Sequence, residues 1–197
     1  MDPELASILA SAWTLLVRGG ADRRSPLHTP VVASTSKDCT PDARIMVLRK
    51  ADPATATLRF HTDARSPKCA QLDGRAVAIL AYHPGEAVQL RLHGQAHVHP
   101  EGPDTDAAWS SSTPFARRCY MALQPPGSTL PAPGSGLPPE VEGQRPSEDQ
   151  LRPARAHFAL LTAELHSIDW LHLAHSGHRR ARFTRHGAAW RGEWTAP

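Results

Sequence analysis

The chain has 197 residues, 40% of them hydrophobic, and this size and composition predict a single domain, residues 1–197, with its own core. The net charge of +3 comes from scattered cations rather than one basic helix, so nucleic acid is not predicted as a partner. The N-terminus carries no basic region before an apolar run, and no stretch reaches the roughly 20 apolar residues of a membrane span. The sequence therefore predicts a cytoplasmic protein without membrane contact.

The first predicted element is an amphipathic helix. Apolar residues recur at helical spacing from Leu5 to Leu16. The pair Gly19-Gly20 is a C-cap signal and predicts that the helix ends there. The pattern then changes, and residues 87–99 alternate between apolar and polar side chains, which predicts a long antiparallel strand with one buried face. Shorter apolar runs before it predict strands at 31–33, 45–48 and 76–82.

The remaining elements follow from turn and capping signals. Ser66 and Pro67 predict the N-cap and first residue of a short helix, and residues 102–122 predict one or two helices divided at Pro114. The proline-rich segment, residues 125–153, has no apolar periodicity and predicts a loop outside the core. Strands are predicted again at 158–165, 168–173, 182–185 and 189–194. This order predicts a mainly β (α+β) fold, an antiparallel β-barrel with peripheral helices.

Arg44, Ser66 and Lys68 together predict a phosphate-binding site. A helix N-terminus offers backbone N–H groups without partners and the positive end of the helix dipole. Ser66 and Lys68 add a hydroxyl and an ammonium at the predicted helix start. Arg44 adds a guanidinium, which can bind a phosphate through two hydrogen bonds. The apolar strand after Arg44 offers a slot for an aromatic ring beside the phosphate.

These segments resemble a known family. The two stretches are Arg44-Ile45-Met46-Val47-Leu48-Arg49 and Phe60-His61-Thr62-Asp63-Ala64-Arg65-Ser66-Pro67-Lys68. They are similar to the pyridoxamine 5'-phosphate oxidase family, which shows an Arg-apolar-apolar-Leu-(Lys/Arg) strand and then Phe-(Tyr/His)-Thr-x-x-x-Ser-x-Lys. The resemblance implies a split β-barrel that binds flavin mononucleotide (FMN) and forms a homodimer with FMN at the subunit interface. It also implies an FMN-dependent oxidoreductase that acts on a small molecule.

Further matches extend the resemblance toward the C-terminus. Gln89 on the long strand matches the family's glutamine near the flavin, and Ile168-Asp169-Trp170 and Arg182-Phe183 resemble two C-terminal motifs. The resemblance implies that Trp170 and Arg182 reach the flavin of the partner subunit. The cofactor-binding residues that it implies are Arg44, Ile45, Met46, Val47, Leu48, Arg49, His61, Thr62, Ser66, Lys68, Gln89, Trp170 and Arg182.

The substrate half of the family pattern is not retained. The family's Arg-Leu-His-Asp-Arg motif is replaced by residues 178–182, which keep only the last arginine. Pyridoxamine or pyridoxine phosphate is therefore not predicted as the substrate, and no catalytic residue is assigned. The residues nearest to a substrate by analogy are Arg49, Trp109, Arg117, His178 and Arg180.

Two alternative functions and one alternative cofactor remain open. The missing substrate motif also suits a flavin carrier or sensor without efficient turnover. His93, His97 and His99 on one face of the long strand motivate a haem-binding relative of the same barrel, and deazaflavin F420 could replace FMN. A metal site is not predicted, because no run of cysteine, aspartate or glutamate completes these histidines.

Overall fold

The computed structural model describes residues 1–197, with helices around a single antiparallel sheet. The helices are α1 (Pro3–Ala21), α2 (Pro67–Leu72), α3 (Pro103–Ser111), α4 (Pro114–Arg118) and α5 (Glu148–Leu151). Short 3₁₀ turns lie at Pro26–His28, Cys119–Met121 and Arg152–His157. None of the helices combines the length and the apolar character that crossing a lipid bilayer requires.

Nine strands form the sheet. They are β1 (Val31–Thr35), β2 (Pro41–Ile45), β3 (Leu48–Asp52), β4 (Thr57–Asp63), β5 (Arg75–His83), β6 (Val88–His99), β7 (Phe158–His172), β8 (Arg179–His186) and β9 (Ala189–Thr195). Neighbours run in the order β2-β1-β5-β6-β7-β4-β3, while β8 and β9 continue from β7. The predicted mainly β fold, a split barrel with peripheral helices, is confirmed, as is the long half-buried strand β6.

The barrel closes through the apolar run that the sequence predicts as a strand at 45–48. This run is a junction instead, because β2 ends at Ile45 and β3 begins at Leu48. β2 pairs with β1 and β3 pairs with β4, at the two ends of the strand order. The Met46 N–H donates to Pro30 O at 3.1 Å and holds the turn between them. The run therefore joins the two edges of the sheet rather than crossing the core.

The sheet divides along β7. β6 pairs with nearly all of β7, whereas β4 pairs with residues 158–164 and β8 with residues 167–172. The register shifts between His93 and Gly94, and His166 is the extra residue of a bulge on the other strand. Residues 158–172 therefore form one continuous strand with a bulge, whereas the sequence predicts two separate strands.

Helix α1 continues through the two glycines that predict its end. It ends at Ala21, with Asp22 as C-cap. A β-carbon on Gly19 would lie 2.8 Å from Leu27 O, and one on Gly20 would lie 3.1 Å from Lys50 Cα. The glycines let the helix approach the sheet and the following turn, so the predicted helix end is wrong by two residues.

The core has two parts. The larger part fills the barrel under α1, and a smaller cluster joins α3 and α5 to β7 around Trp109, Leu151 and Phe158. Leu151 and Val141 are fully buried although both lie in the proline-rich segment. Helix α5 also lies in that segment, so only residues 125–147 of the predicted loop lack a helix. Isolated apolar residues among prolines leave no periodicity that could have revealed this.

Candidate cofactor site

Arg44 is held at one end of the site by polar contacts. Its Nη1 donates to Val32 O at 3.2 Å and to Ser34 Oγ at 2.8 Å. Its Nη2 donates to Gln71 Oε1 at 3.0 Å and to Asp42 Oδ2 at 2.5 Å. Because Gln71 lies on α2, these contacts tie strand β2 to that helix and fix the direction of the guanidinium.

Lys68 projects from the first turn of α2. Residues three apart share one side of a helix, so Lys68 lies on the side where Gln71 meets Arg44. Its Nζ donates to Oγ of Ser66, the N-cap residue, at 2.9 Å. An ammonium has three N–H donors, so two of those on Lys68 remain for a ligand. We call Arg44, Ser66 and Lys68 the cradle; Pro67 adds no backbone N–H to it.

The cradle places two cations close together. Burial lowers the pKa of the Lys68 ammonium, and the charge of Arg44 acts in the same direction. Placing like charges side by side costs free energy, which a bound anion would offset. Asp42 already balances part of the charge on Arg44, but its carboxylate is exposed to solvent. The arrangement is therefore suited to an oxyanion such as a phosphate.

Thr62 lies buried beside the first turn of α2. Its Oγ1 donates to Asp63 O at 3.4 Å and is 3.9 Å from Cys69 Sγ. The Cys69 thiol donates to the same carbonyl at 3.2 Å, and burial raises its pKa. Both side chains support the start of α2 from below, and the contact between Thr62 and a cofactor stays a prediction.

The chain from Ile45 to Arg49 leads from the cradle to a second group of predicted residues. Met46 and Leu48 are buried in the core, whereas Ile45 is 68% exposed and Val47 is half-buried. The side chains of Met46 and Leu48 therefore pack in the core. At these two positions only the backbone can contact a ligand, as the resemblance implies.

A cavity of about 590 Å³ lies between the end of α1, the β3–β4 hairpin and α3. The His61 imidazole on its wall packs edge-on against Phe158, with the ring centroids 4.9 Å apart. Burial and the charge of Arg49 lower the pKa of His61 to about 4, so the ring is neutral at pH 7. We call this the basic cavity; its basic lining residues are Arg23, His28, Arg49, Lys50, Arg59 and His61.

Gln89 and Arg182 lie on the opposite face of the sheet from the cradle. Strand side chains alternate between faces, and the register places Gln89, Arg91 and Arg182 on the face that points away from the core, the outer face. Arg44 pairs with the buried Val32 and belongs to the other face. One chain therefore does not bring both groups to the same ligand.

Trp170 points into the core rather than to the outer face. It is buried, and it pairs with Leu90 and Ala181, which are buried as well. The next residue, Leu171, pairs with Gln89 and takes the outer-face position. A shift of one residue moves a strand side chain to the opposite face. The structure therefore places Leu171, and not Trp170, beside the glutamine.

Two arginines predicted on the substrate side have carboxylate partners. Arg117 is buried and donates to both oxygens of Glu148, at 2.9 and 2.6 Å. Its guanidinium also lies 5.3 Å from the centroid of the Trp109 ring. Arg180 on the outer face donates to both oxygens of the buried Asp169, at distances from 2.6 to 3.2 Å. Neither Trp109, Arg117 nor Arg180 lines the basic cavity.

His178 and the three strand histidines, His93, His97 and His99, lie apart from the basic cavity. His178 is exposed in the turn before β8. The rings of His97 and His99 have centroids 6.4 Å apart, and His93 Nδ1 is 3.4 Å from Ser167 Oγ. No three His, Cys, Asp or Glu side chains are grouped so that they could hold a metal ion. The haem alternative stays a prediction.

Several residues of the site carry no sequence prediction. Ser34 Oγ donates to Gln71 Oε1 at 2.7 Å, and both contact the guanidinium of the cradle. Gln71 follows Lys68 by three residues on a predicted helix, and this spacing could have predicted that both side chains lie on the same side of the helix. Arg23 and Arg59 lie far apart in the sequence, and only the fold places them in one cavity wall.

Comparison with known proteins finds a family model that matches part of the chain. Residues 10–100 match the family model described as pyridoxamine 5'-phosphate oxidase, FMN-binding domain. The predicted resemblance to this family is confirmed. The residues that match the family model include the cradle, the 45–49 segment and Gln89, whereas Arg182 lies outside them. A search of curated proteins finds no match.

Solved structures share the fold. The chain is similar to a crystal structure of a pyridoxamine 5'-phosphate oxidase-related, FMN-binding protein from Nostoc punctiforme PCC 73102, with a TM-score of 0.72 and 22% identity. That similarity covers 100% of this chain and 99% of the other. PhzG from Burkholderia lata 383, in complex with tetrahydrophenazine-1-carboxylic acid, gives a TM-score of 0.65 and 20% identity over 100% and 95% of the two chains. At these identities the likeness establishes the fold alone.

Proposed function

We propose that the protein is an FMN-binding flavoprotein and an oxidoreductase that acts on a small molecule. The observation that carries the proposal is the cradle, where Arg44 and Lys68 from two different elements lie together and the ammonium keeps two free donors. The family match supports FMN as the group whose phosphate these cations hold.

Each cradle residue has a role in this proposal. Lys68 donates its free N–H groups to the phosphate, and the Ser66 hydroxyl orients the ammonium. Arg44 binds the phosphate in place of the exposed carboxylate of Asp42, while Gln71 keeps the guanidinium in position. The negative charge of the phosphate raises the pKa of Lys68 again. FMN supplies hydride and electron transfer when bound, and the chain supplies binding and orientation.

We further propose a homodimer with an FMN site at each end of the subunit interface. The cradle and the pair Gln89 and Arg182 face opposite sides of one sheet, so a second chain is needed to bring both groups to one cofactor. The outer face also exposes Leu80 and Tyr82, which a second copy can cover. The cytoplasm is the proposed compartment, and neither nucleic acid nor a membrane is a proposed partner.

The basic cavity is the proposed substrate side of the site. Arg49 and His61 line it, and Arg49 follows the cradle by only five residues. Its volume of about 590 Å³ lies within the range of pockets that bind small molecules.

A flavin carrier or sensor is the second candidate function. It is favoured by the ion pairs of Arg117 with Glu148 and of Arg180 with Asp169, which occupy two guanidinium groups predicted to face a substrate. This candidate predicts tight FMN binding and slow reduction, whereas the oxidoreductase predicts fast reduction by a suitable donor.

The proposed function is tested by titrating the purified protein with FMN while its absorbance and flavin fluorescence are recorded. We expect bound-flavin bands in the wild-type protein. The variants Arg44→Ala and Lys68→Ala each weaken FMN binding by about tenfold or more, because each removes a charge-assisted contact to the phosphate. The FMN-loaded protein is then mixed anaerobically with NADH or NADPH. The rate of flavin reduction distinguishes the oxidoreductase from the carrier or sensor.

Lys37→Ala is the matched control, since Lys37 is an exposed lysine in the turn between β1 and β2. We expect it to bind FMN as the wild-type protein does. A wild-type protein that takes up no FMN would sink the proposal, and so would a loss of affinity in Lys37→Ala equal to that in Lys68→Ala.

A further inference from the structure

The chain between Ala122 and His157 leaves the barrel and returns to it at one place. This stretch, which we call the excursion, contains the proline-rich segment and α5 and leads into β7. At its start, Ala122 O accepts a hydrogen bond from Arg65 Nη1 at 2.9 Å. At its end, His157 O accepts one from the N–H of Ala64 at 2.7 Å. Two neighbouring residues of the loop between β4 and α2 therefore hold both ends of the excursion.

Arg65 reaches the excursion from a fixed position. The carboxylate of the buried Asp63 accepts from Arg65 Nε at 3.0 Å, from its Nη2 at 2.7 Å and from its backbone N–H at 2.9 Å. A guanidinium is planar and rigid, so binding one edge of it to a carboxylate sets the direction of the remaining nitrogen. That nitrogen, Nη1, donates to Ala122 O. The side chain of Arg65 is only 20% exposed, so water competes little for these contacts.

Asp63 also supports the cradle. Its backbone carbonyl accepts from the N–H of Ser66 at 3.0 Å and from Cys69 Sγ at 3.2 Å, and both residues belong to the start of α2. Ser66 Oγ in turn accepts from Lys68 Nζ at 2.9 Å. One residue therefore holds the cradle through its backbone and Arg65 through its carboxylate. A change in the order of the cradle reaches the excursion through Asp63 and Arg65.

The middle of the excursion has few contacts of its own. Residues 123–135 are exposed throughout, and Val141 is the one buried residue between 123 and 145. The N–H of Leu123 donates to Gly136 O at 2.8 Å, one residue beyond the contact with Arg65. A segment with so little buried apolar surface opens locally at a small cost in free energy. The hydrogen bond at its base therefore has a large share in keeping it closed.

We propose that Arg65 is a positioning residue that couples the cradle to the excursion, so that an oxyanion bound in the cradle closes the excursion. The bound oxyanion restrains Ser66 and Lys68, which stabilises the first turn of α2 and with it the contacts of Asp63 and Arg65. Coupling between two sites is reciprocal, so the closed excursion strengthens oxyanion binding by the same factor. The inference deepens the proposed function and rests on it only for the identity of the oxyanion, the phosphate of FMN.

The test is hydrogen exchange followed by mass spectrometry, on peptides from residues 123–144 and from α1. We expect FMN to slow exchange at residues 123–144 by about fivefold or more, the lower end of typical coupling between sites. Riboflavin lacks the phosphate and should leave exchange there unchanged. The α1 peptides report unfolding of the whole domain, so slower exchange at 123–144 counts only beyond the change that α1 shows.

Arg65→Lys separates position from charge. It keeps the cation, but one ammonium nitrogen cannot hold Asp63 on two sides and also reach Ala122 O. We expect fast exchange at residues 123–144 in this variant both with and without FMN, and an FMN affinity lowered by about fivefold, the factor by which FMN slows exchange in the wild type. A role confined to the stability of the fold would speed up exchange in both states and keep the wild-type ratio between them, which overturns the inference.

Arg152→Lys is the matched control. Arg152 also lies in the excursion and pairs with Asp149 at 2.5 Å, but the two side chains are 80% and 87% exposed and contact neither the cradle nor its loop. We expect this variant to respond to FMN as the wild-type protein does. Loss of the FMN response in Arg152→Lys equal to that in Arg65→Lys overturns the inference.

A second series with inorganic phosphate in place of FMN lets the two proposals fail separately. Phosphate that slows exchange at 123–144 in the wild type and not in Arg65→Lys, in a protein that takes up no FMN, supports the coupling and removes the flavin function. FMN uptake that leaves this exchange unchanged keeps the flavin function and overturns the inference, as does equal slowing by FMN and riboflavin. If Arg65→Lys does not fold, the comparison of FMN with riboflavin on the wild-type protein decides.

Discussion

His61 is the residue whose chemistry depends most on its surroundings. Burial and the guanidinium of Arg49 both disfavour the imidazolium, and together they lower the pKa from 6.5 to about 4. The unfolded chain takes up this proton near pH 6.5 and the folded protein only near pH 4. Between these values the unfolded state binds more protons, so the stability of the fold decreases as the pH falls from about 6.5 to about 4.

Replacing His61 with phenylalanine keeps a ring against Phe158 and removes the proton. We expect the free energy of unfolding of the wild-type protein to fall by about 2 kcal/mol more than that of His61→Phe between pH 6.5 and pH 4, allowing for solvent screening of a half-buried group. Urea unfolding at several pH values measures this. The exposed His175 serves as control, since His175→Phe should follow the wild-type curve. Parallel curves for wild type and His61→Phe would contradict the assignment.

Gln71 acts on the cradle through another residue. Its Oε1 accepts hydrogen bonds from Arg44 and Ser34, so it sets where the guanidinium points without offering a charge of its own. A positioning role of this kind affects how tightly the phosphate of a flavin nucleotide is bound, and it does not affect binding of the ring.

Gln71→Leu therefore weakens FMN binding by about tenfold and leaves riboflavin binding unchanged, because riboflavin lacks the phosphate. Fluorescence titration with both flavins measures the two affinities. Gln95→Leu, at an exposed glutamine on β6, is the control and should change neither. Equal losses for FMN and riboflavin would mean that Gln71 supports the fold instead of the cradle.

At the scale of elements, strands β6 and β7 approach each other closely at the bulge. A β-carbon at Gly94 would lie 2.2 Å from Glu164 O and 2.8 Å from Glu164 C. Both backbones are held by ladder hydrogen bonds on either side, so neither can move away. The glycine is therefore required by the contact between the strands and not by a turn.

Gly94→Ala should lower the free energy of unfolding by about 3 kcal/mol, at the upper end of the cost of overpacking a fixed structure. Urea denaturation at pH 7 measures the loss. Gly134→Ala is the matched control, because a β-carbon there meets no atom within 4 Å. A Gly94→Ala protein as stable as Gly134→Ala would show that the strands can separate at the bulge.

At the scale of the whole molecule, the outer face exposes apolar side chains beside its polar and charged ones. Leu80 and Tyr82 on β5 are 42% and 45% exposed, and Ile45 on β2 shares their face. Burying a leucine side chain contributes roughly 1.5–3 kcal/mol, and a twofold interface contains each residue twice. Covering these side chains would therefore favour the proposed dimer.

If the proposed dimer forms, Leu80→Asp should sediment as a monomer in sedimentation velocity and should lose FMN binding together with dimerisation. Leu123→Asp changes a leucine that is more exposed, at 66%, but lies in the segment after α4. We expect that control to stay dimeric and to bind FMN. A wild-type protein that sediments as a monomer at micromolar concentration would refute the homodimer.

The sequence was most informative where a local rule applied. Alternation between Val88 and His99 predicted β6, and Ser66-Pro67 predicted the start of α2, because both patterns depend on neighbours in the chain. The motif around Arg44 and Lys68 named two cations that the fold brings to one place. The same reasoning misplaced the end of α1, because the demand on Gly19 comes from Leu27 and not from the helix.

What the sequence determined by itself was the mainly β fold, the cations of the cradle and the resemblance to one family. Periodicity, capping residues and motif spacing are properties of short segments, and they keep their meaning before the chain folds. Only the tertiary structure decided which face each strand residue takes and which distant charges meet. The one-residue difference between Trp170 and Leu171 decides between core and outer face, and the basic cavity unites α1, the β3–β4 hairpin and α3. Such juxtapositions depend on register and packing across the whole barrel, which no local pattern contains.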